Sequence, residues 1–306
     1  MNQVTEKPEY SQGHAGAGIR EENNPSILVI AVIYNTYPEA LRYLESFAAE
    51  RTPETLMILV DNSDRPAPGK FTKALAGWPF VEYLATGNNP GYFGGARAGL
   101  SLWHSHHRKQ PRWTLVTNVD IIFRTGFFRT LSTMEPGAAT GMVAPSILSL
   151  RWKSDLNPQR MEPYTRKHLL FLSRLYRFPL LHNLYIAASY LKKLIRGLRS
   201  GSGPAARREA GVIYAPHGSC LIFSRHFFDR GGSLGLPQFL FGEEIVLAET
   251  ARRLGLVIEY RPELAVDDHE HASTGLFVNR KMNRYYRESV LSILRHYYPE
   301  QTGGQI

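Results

Sequence analysis

Four continuous apolar runs open the chain, and each breaks off in polar residues. "SILVIAVIYN" (26–35) closes on Tyr34-Asn35, and "TLMILVDNSD" (55–64) closes on Asp61-Asn62-Ser63. "FVEYLAT" (80–86) runs into "GNNPGYFGGARAGL", and "WTLVTNVDII" (113–122) is interrupted at Thr117-Asn118 and again at Asp120. Apolar runs without alternation suit strands buried on both faces. Between the first two, Leu41, Leu44 and Phe47 recur at helical spacing, with Pro38 near the start, where proline is tolerated. A further helix is predicted over Ala96–Trp103. Strands alternating with helices predict right-handed βαβ units and a mostly parallel sheet. Ligands of such sheets bind beyond the carboxyl ends of the strands. All four polar breaks fall there, so four loops deliver hydrogen-bonding groups to one rim.

The pattern changes after residue 150. Residues 151–210 are basic and rich in leucine and tyrosine, with helical spacing over 166–198 and a break before Pro179. Alternating α/β character returns at 211 with "GVIYAPHGSCLIFSRHFFDRGG". A helix opened by Glu243-Glu244 follows, then the strand "LVIEYRP", the polar "AVDDHEHAST" and a last helix over roughly Arg280–Tyr297. The organisation read from this is a polar tail (1–24), a first α/β segment (25–150), a basic helical insertion (151–210), a second α/β segment (211–299) and a short tail (300–306).

Composition narrows the picture only in places. The single cysteine, Cys220, excludes a disulfide framework and a cysteine-rich zinc site. The net charge of +9 points to an anionic partner: nucleic acid, anionic lipid or a phosphorylated substrate. Much of that surplus lies in the insertion, and no RNA-binding motif is interleaved with it, so nucleic acid is not expected. The N-terminal tail has no apolar stretch of signal-peptide type. His182 and Asn183 interrupt the longest apolar run, near 178–191, which is too short to span a bilayer. A cytoplasmic protein is expected, with at most peripheral contact at the inner face of the cell membrane.

The chemistry-bearing residues sit at the breaks. Gly91, Gly94 and Gly95 precede a predicted helix start, where a phosphate can be received. The order is neither a dinucleotide fingerprint nor a P-loop, and alone it also describes a plain turn. Asp61 can cap the segment after its strand. Asp120, inside apolar sequence, needs a partner; a Mg²⁺-type cation is commonly held by one or two carboxylates, with phosphates and waters completing the shell. Glu243 and Glu244 suit a helix N-terminus electrostatically, and a carboxylate there can also take a proton from a hydroxyl. "DDHEH" (267–271) puts His269 and His271 on one side of a strand, an imidazole–carboxylate mixture suited to a divalent metal or simply to an exposed loop.

Taken in order, "VIYN", "VDNSD", "GNNPGYFGGARAG", "TNVDI", "FGEE" and "HEHAST" resemble the family 2 glycosyltransferases of GT-A fold, and within them the bacterial rhamnosyltransferase-like enzymes of surface polysaccharide assembly. The resemblance covers roughly 26–150 and 211–296. It implies a GT-A (Rossmann-like) α/β fold, with a mostly parallel central sheet flanked by helices and carrying the basic helical insertion. The donor-binding set it implies is Tyr34, Asn35, Asp61 (on the donor's base), Asn62, Asn89, Gly91, Gly94, Gly95, Arg97 and Asn118. Asp120 matches the last acid of the family's D-x-D and would bind Mg²⁺ or Mn²⁺ bridging the diphosphate, with His269 near it and His271 as the alternative. Asn118 replaces the first acid and adds no charge. Glu244 aligns with the catalytic base, with Glu243 as the other choice; His217, Gly218 and His271 fall on the acceptor side. The implied reaction is a single inverting displacement from a nucleotide-sugar to a glycan or lipid-linked glycan.

The likeness fades over the insertion. Leu169, Leu170, Leu172, Leu175 and Tyr176, set among Arg166, Lys167, Arg174 and Arg177, read as a basic amphipathic helix. It suits an anionic membrane surface, or equally a helical lid with solvated charges. Two other functions compete with glycosyl transfer. A sugar nucleotidyltransferase would carry a basic glycine-rich loop after the first strand, where this chain has "VIYNTYPEA". A non-enzymatic anionic-lipid binder would act through the insertion alone.

Overall fold

A computed structural model describes residues 25–106, 109–199, 209–236, 241–269 and 278–300, with only the backbone of 190 and 192–199 described. His271 therefore lies outside the described residues, as do the tails 1–24 and 301–306. The framework is one ten-stranded sheet whose strands lie in the order Val81–Ala85 (β3), Thr55–Asp61 (β2), Ile27–Ile33 (β1), Trp113–Thr117 (β4), Cys220–Ser224 (β9), Thr140–Ser149 (β6), Val257–Asp268 (β10) and Ile121–Phe123 (β5), with Ser154–Asp155 (β7) on β6 and Gly211–Ile213 (β8) on β10. Its first half is β1 (Ile27–Ile33), β2 (Thr55–Asp61), β3 (Val81–Ala85) and β4 (Trp113–Thr117), all parallel. Its second half is mixed. β9 (Cys220–Ser224) is antiparallel to both β4 and β6 (Thr140–Ser149). β10 (Val257–Asp268) runs parallel to β6 and antiparallel to β5 (Ile121–Phe123) and β8 (Gly211–Ile213). The uninterrupted run of parallel neighbours expected from the alternating pattern is thus limited to β1–β4, with β6 and β10 as a further parallel pair among antiparallel neighbours.

Helices cover both faces. Every residue of β1 is buried, and its period of two splits it cleanly. Leu28, Ile30 and Val32 join one core with α3 (Tyr92–His106), α5 (Arg166–Leu175), α8 (Glu243–Arg253) and α9 (Arg280–Tyr297). Ile27, Val29, Ala31 and Ile33 join the other with α1 (Tyr37–Glu50), α2 (Gly69–Leu75) and α4 (Phe127–Thr133). Helix α3 lies unusually close to the sheet: a Cβ on Gly99 would come within 2.8 Å of the Ile30 side chain and 3.0 Å of Val60.

Two expectations change. "WTLVTNVDII" is not one strand. β4 is already bonded on both edges by β1 and β9, so the chain leaves the ladder after Thr117 and forms β5 against the far end of β10. Asp120 sits in that crossing. The predicted glycine loop is also shorter than read, since α3 begins at Tyr92 and carries Gly94 and Gly95 in its first turn.

The insertion holds β7 (Ser154–Asp155), α5 and α6 (Pro179–Arg199) after α5's end. Leu169 and Leu172 turn inward, where α5 packs on α9. Among the described side chains, the large apolar ones that α5, α6 and the turn between them leave outside are Phe171, Phe178, Leu180, Leu181, Leu184, Tyr185 and Leu191. No helix among the described residues is long and apolar enough to cross a membrane.

Candidate active site

The ends of β1 and β2 are held together by polar contacts. Asn35, in the left-handed region (φ 57°), donates its backbone N–H to Ser63 at 2.8 Å. Asp61 is 2 % exposed and faces inward. Its Oδ2 accepts from Tyr83 at 2.6 Å and Tyr37 at 3.1 Å, and its Oδ1 accepts from the Ser63 N–H at 2.9 Å. Burial and the adjacent carboxylate push the Tyr83 phenol well above its ordinary range. As it stands, Asp61 organises Tyr37, Tyr83 and the following turn. Tyr34 is exposed and donates to Asp64 at 2.6 Å.

Asn62 anchors the start of α3. Its Nδ2 donates to the Gly91 carbonyl at 2.9 Å, and its Oδ1 accepts from Thr86 at 3.2 Å. A Cβ on Gly95 would fall 2.7 Å from that amide, so glycine is what lets Asn62 reach the helix. Asn89 closes the preceding turn by accepting from the Gly91 N–H at 3.0 Å. Arg97 is exposed on α3 and runs alongside Gly235.

Tyr92 links this rim to the second half of the chain. Its hydroxyl donates to the Gly218 carbonyl at 3.3 Å, and a Cβ on Gly218 would lie 2.8 Å from Glu244 Oε1. The start of α3, the 217–219 loop and the carboxylate pair therefore share one wall. Beside them the Asn118 N–H donates to the Ser219 carbonyl at 3.0 Å, and the His269 N–H to the Asp120 carbonyl at 2.9 Å. Asp120 and His269 line a crevice of about 20 Å³ with Glu39 and Arg42. That is room for about one water-sized occupant.

A metal ion's fit can be judged from these donors. Among the described residues, no three His, Cys, Asp or Glu side chains converge. A carboxylate and an imidazole next to one another fit a Mg²⁺ or Mn²⁺ whose shell is otherwise filled by phosphate and water.

Glu243 and Glu244 stand at the N-terminus of α8 because of the turn before it. Phe241 (φ 68°) and Gly242 (φ 80°) are both left-handed. Such a conformation costs a non-glycine residue roughly 1–3 kcal/mol. The Phe241 ring stacks on Tyr286 of α9 at 3.7 Å, and its carbonyl accepts from Ser289 at 2.6 Å, contacts that offset the cost. The two acids differ. Glu244 is half-buried; Glu243 is buried, and desolvation followed by repulsion from Glu244 raises its pKa to about 7. Both open on a cavity of about 450 Å³, which does not include Asp120 or Asn118.

The Glu243 shift has a pH signature. Its folded pKa lies above the ordinary 4.5, so the folded state binds more protons between those values. Its stability contribution is full below about 4.5 and lost as pH rises through about 7. Glu243→Gln, which has no charge to desolvate, is expected to be more stable than the parent at pH 8 by about 3 kcal/mol and equal to it at pH 4. Urea titrations at the two pH values measure the gap.

Sequence reading missed several supports. Asp268, 2 % exposed, accepts from Ser219 at 3.0 Å, and the Ser219 hydroxyl also meets His217 Nδ1 at 3.0 Å. Asn157 fixes the same loop, its Oδ1 accepting from the His217 N–H at 2.7 Å. The signal for Asp268 was present in "DDHEH"; Asn157, 60 residues from His217, gave none.

This mixed sheet with helices on both faces is the GT-A fold, as seen in glycosyltransferases. No protein-family model and no curated protein matches the sequence. Solved structures do match in shape. GalNAc-T7, determined with UDP, GalNAc and Mn²⁺, superposes with a TM-score of 0.54 at 13% identity, over 88% of this chain and 48% of that one. S. aureus TarS gives 0.51 at 10% identity, over 90% of this chain and 41% of TarS. TarS 1–349 in complex with UDP-GlcNAc gives 0.52 at 12% identity, over 90% and 68%. The chain thus spans about half or less of the GalNAc-T7 and TarS chains.

Proposed function

We propose that this chain is an inverting glycosyltransferase of the family 2, rhamnosyltransferase-like kind. It moves a sugar from a nucleoside-diphosphate-sugar to a hydroxyl of a glycan or lipid-linked glycan in cell-surface polysaccharide synthesis. The observation that carries the reading is the Tyr92–Gly218–Glu244 seam, which joins the glycine-rich start of α3 to a carboxylate pair over an open cavity. The GT-A fold and the UDP and UDP-GlcNAc of its neighbours support it.

In this reading Tyr34, Asn35, Asn62, Asn89, Arg97 and Asn118 line the donor side, and Asp61 shapes that side from beneath. Asp120 and His269 would hold a divalent ion, and that ion would supply positive charge to the leaving diphosphate. Glu244, the more accessible acid, takes the proton from the acceptor hydroxyl as its oxygen bonds to the anomeric carbon. The bond from that carbon to the diphosphate breaks on the opposite face, and the electron pair leaves with the nucleoside diphosphate. One displacement inverts the configuration. Glu243 keeps a second negative charge from settling beside Glu244 below its own raised pKa. The exposed apolar residues of α5 and α6, with Arg174 and Arg177, form a face suited to peripheral contact with anionic lipid.

A melting-point screen of nucleoside diphosphates and nucleotide-sugars, with and without Mn²⁺, tests the central claim. At least one nucleotide at 100 times its Kd should stabilise the fold by about 2.7 kcal/mol. No shift with any of them would sink the proposal.

A further inference from the structure

The loop that passes Glu244 is pinned at each residue. The His217 N–H donates to Asn157 Oδ1 at 2.7 Å, and Asn157, fully buried, is itself held by donating to the Pro145 carbonyl at 2.8 Å. The Gly218 carbonyl accepts from Tyr92, and the Ser219 carbonyl from Asn118. What this loop presents depends on one proton. The Ser219 hydroxyl lies 3.0 Å from Asp268 Oδ2 and 3.0 Å from His217 Nδ1. A hydroxyl has a single proton to give and lone pairs with which to accept. A carboxylate can only accept, and a hydrogen bond to an ionised group is roughly twice as strong as one between neutral groups. Asp268 is 2 % exposed, so withdrawing a donor from it is costly. The proton therefore goes to Asp268, and Ser219 Oγ accepts from Nδ1–H. The Ser219 N–H, 3.4 Å from the same Nδ1, favours the opposite arrangement, but that contact is long and joins two neutral groups. With Nδ1 protonated in the neutral ring, Nε2 carries the lone pair.

We infer that Asp268 is a positioning residue: acting through Ser219, it fixes the His217 tautomer so that Nε2 accepts a hydrogen bond from a sugar hydroxyl in the cleft at Glu244. His217 is half-buried, which leaves its ring room for a ligand, and a Cβ on the next residue, Gly218, would meet Glu244 Oε1. This rests on the transferase reading and adds a requirement on its substrate, a hydroxyl beyond the one that reacts. A site built to pair a hydroxyl rejects the deoxy analogue far more strongly than an apolar pocket rejects an extra methylene.

The first readout is the tautomer, by nitrogen NMR of the full chain with isotope-labelled histidine at about pH 8, above the ordinary imidazole range. Comparison with His217→Gln assigns the His217 signals. The parent should show a protonated Nδ1 and a bare Nε2. Asp268→Asn offers Ser219 an amide N–H to accept, so the hydroxyl turns to Nδ1 and the tautomer should reverse. Ser219→Ala should lose the parent tautomer, and Ser219→Thr should keep it. If one variant does not fold, the other reads the same link. A bare Nδ1 in the parent overturns the inference, as does a tautomer that Asp268→Asn or Ser219→Ala leaves unchanged. The second readout is contact. Methyl glycopyranosides of D-glucose, D-galactose, D-mannose and L-rhamnose are titrated into the same samples. At least one should move the Nε2 resonance in the parent and fail to do so in Asp268→Asn; no movement with any of them overturns the substrate contact. Nucleotide melting shifts keep the two readings apart. A nucleotide shift with the wrong tautomer removes only this inference; a sugar-dependent Nε2 movement without any nucleotide shift upholds the sugar contact and fails the transferase reading.

Discussion

Asp120→Ala is expected to abolish Mn²⁺-dependent binding of the nucleoside diphosphate and to lower transfer by roughly 10²–10³-fold. The size follows from the several kcal/mol that a Lewis-acidic ion contributes to a developing anionic charge, at about 1.4 kcal/mol per tenfold. The position leaves little to share the load. Asn118, two residues earlier, is neutral, and the neighbouring His269 is a single imidazole tied to Asp120 through the backbone. Calorimetry with the donor's nucleoside diphosphate, with and without Mn²⁺, separates metal-linked binding from activity. Asp120→Asn keeps the side-chain shape and should lose the same metal-linked part. If either variant binds nucleotide with undiminished Mn²⁺ dependence, the metal assignment is wrong.

Glu244→Gln should lower kcat by roughly 10²–10⁴-fold with little change in donor affinity, since it removes a proton acceptor and keeps the volume. Glu243→Gln should cost much less, because Glu243 is the more buried of the two acids. The pH–rate profile carries the second test: any step in the parent's profile near 7, where Glu243 changes charge beside Glu244, should be absent in Glu243→Gln. Full activity in Glu244→Gln would transfer the role of base to Glu243, whose raised pKa already suits proton transfer near neutrality.

Much of the frame was legible because it is written locally. The buried runs of β1 and β2 announce themselves, as do the acids opening α8. What escaped depends on neighbours far along the chain. The strand read from Trp113 through Ile122 is divided because β9, about a hundred residues later, takes the edge of β4. Gly94 and Gly95 read as loop because glycine disfavours helix interiors, yet here contact with Pro90 and Asn62 needs residues without a Cβ. Asp61 was readable as a functional acid, but not that Tyr37 and Tyr83 would both donate to its Oδ2. The insertion showed its amphipathic face; which surface that face would meet depended on α9, over a hundred residues away.

The antiparallel placement of β9 also bears on biosynthesis. As the chain leaves the ribosome, β1 to β4 can assemble at once, but the outer edge of β4 has no native partner until Cys220–Ser224 emerges. At about 5–20 residues per second, the roughly hundred intervening residues take about 5–20 s. Over that time the nascent sheet presents Trp113–Thr117, every residue of which is buried in the finished fold, as an open edge. Such an edge is a template for pairing with another chain, so the period before β9 arrives is when this protein most needs a chaperone.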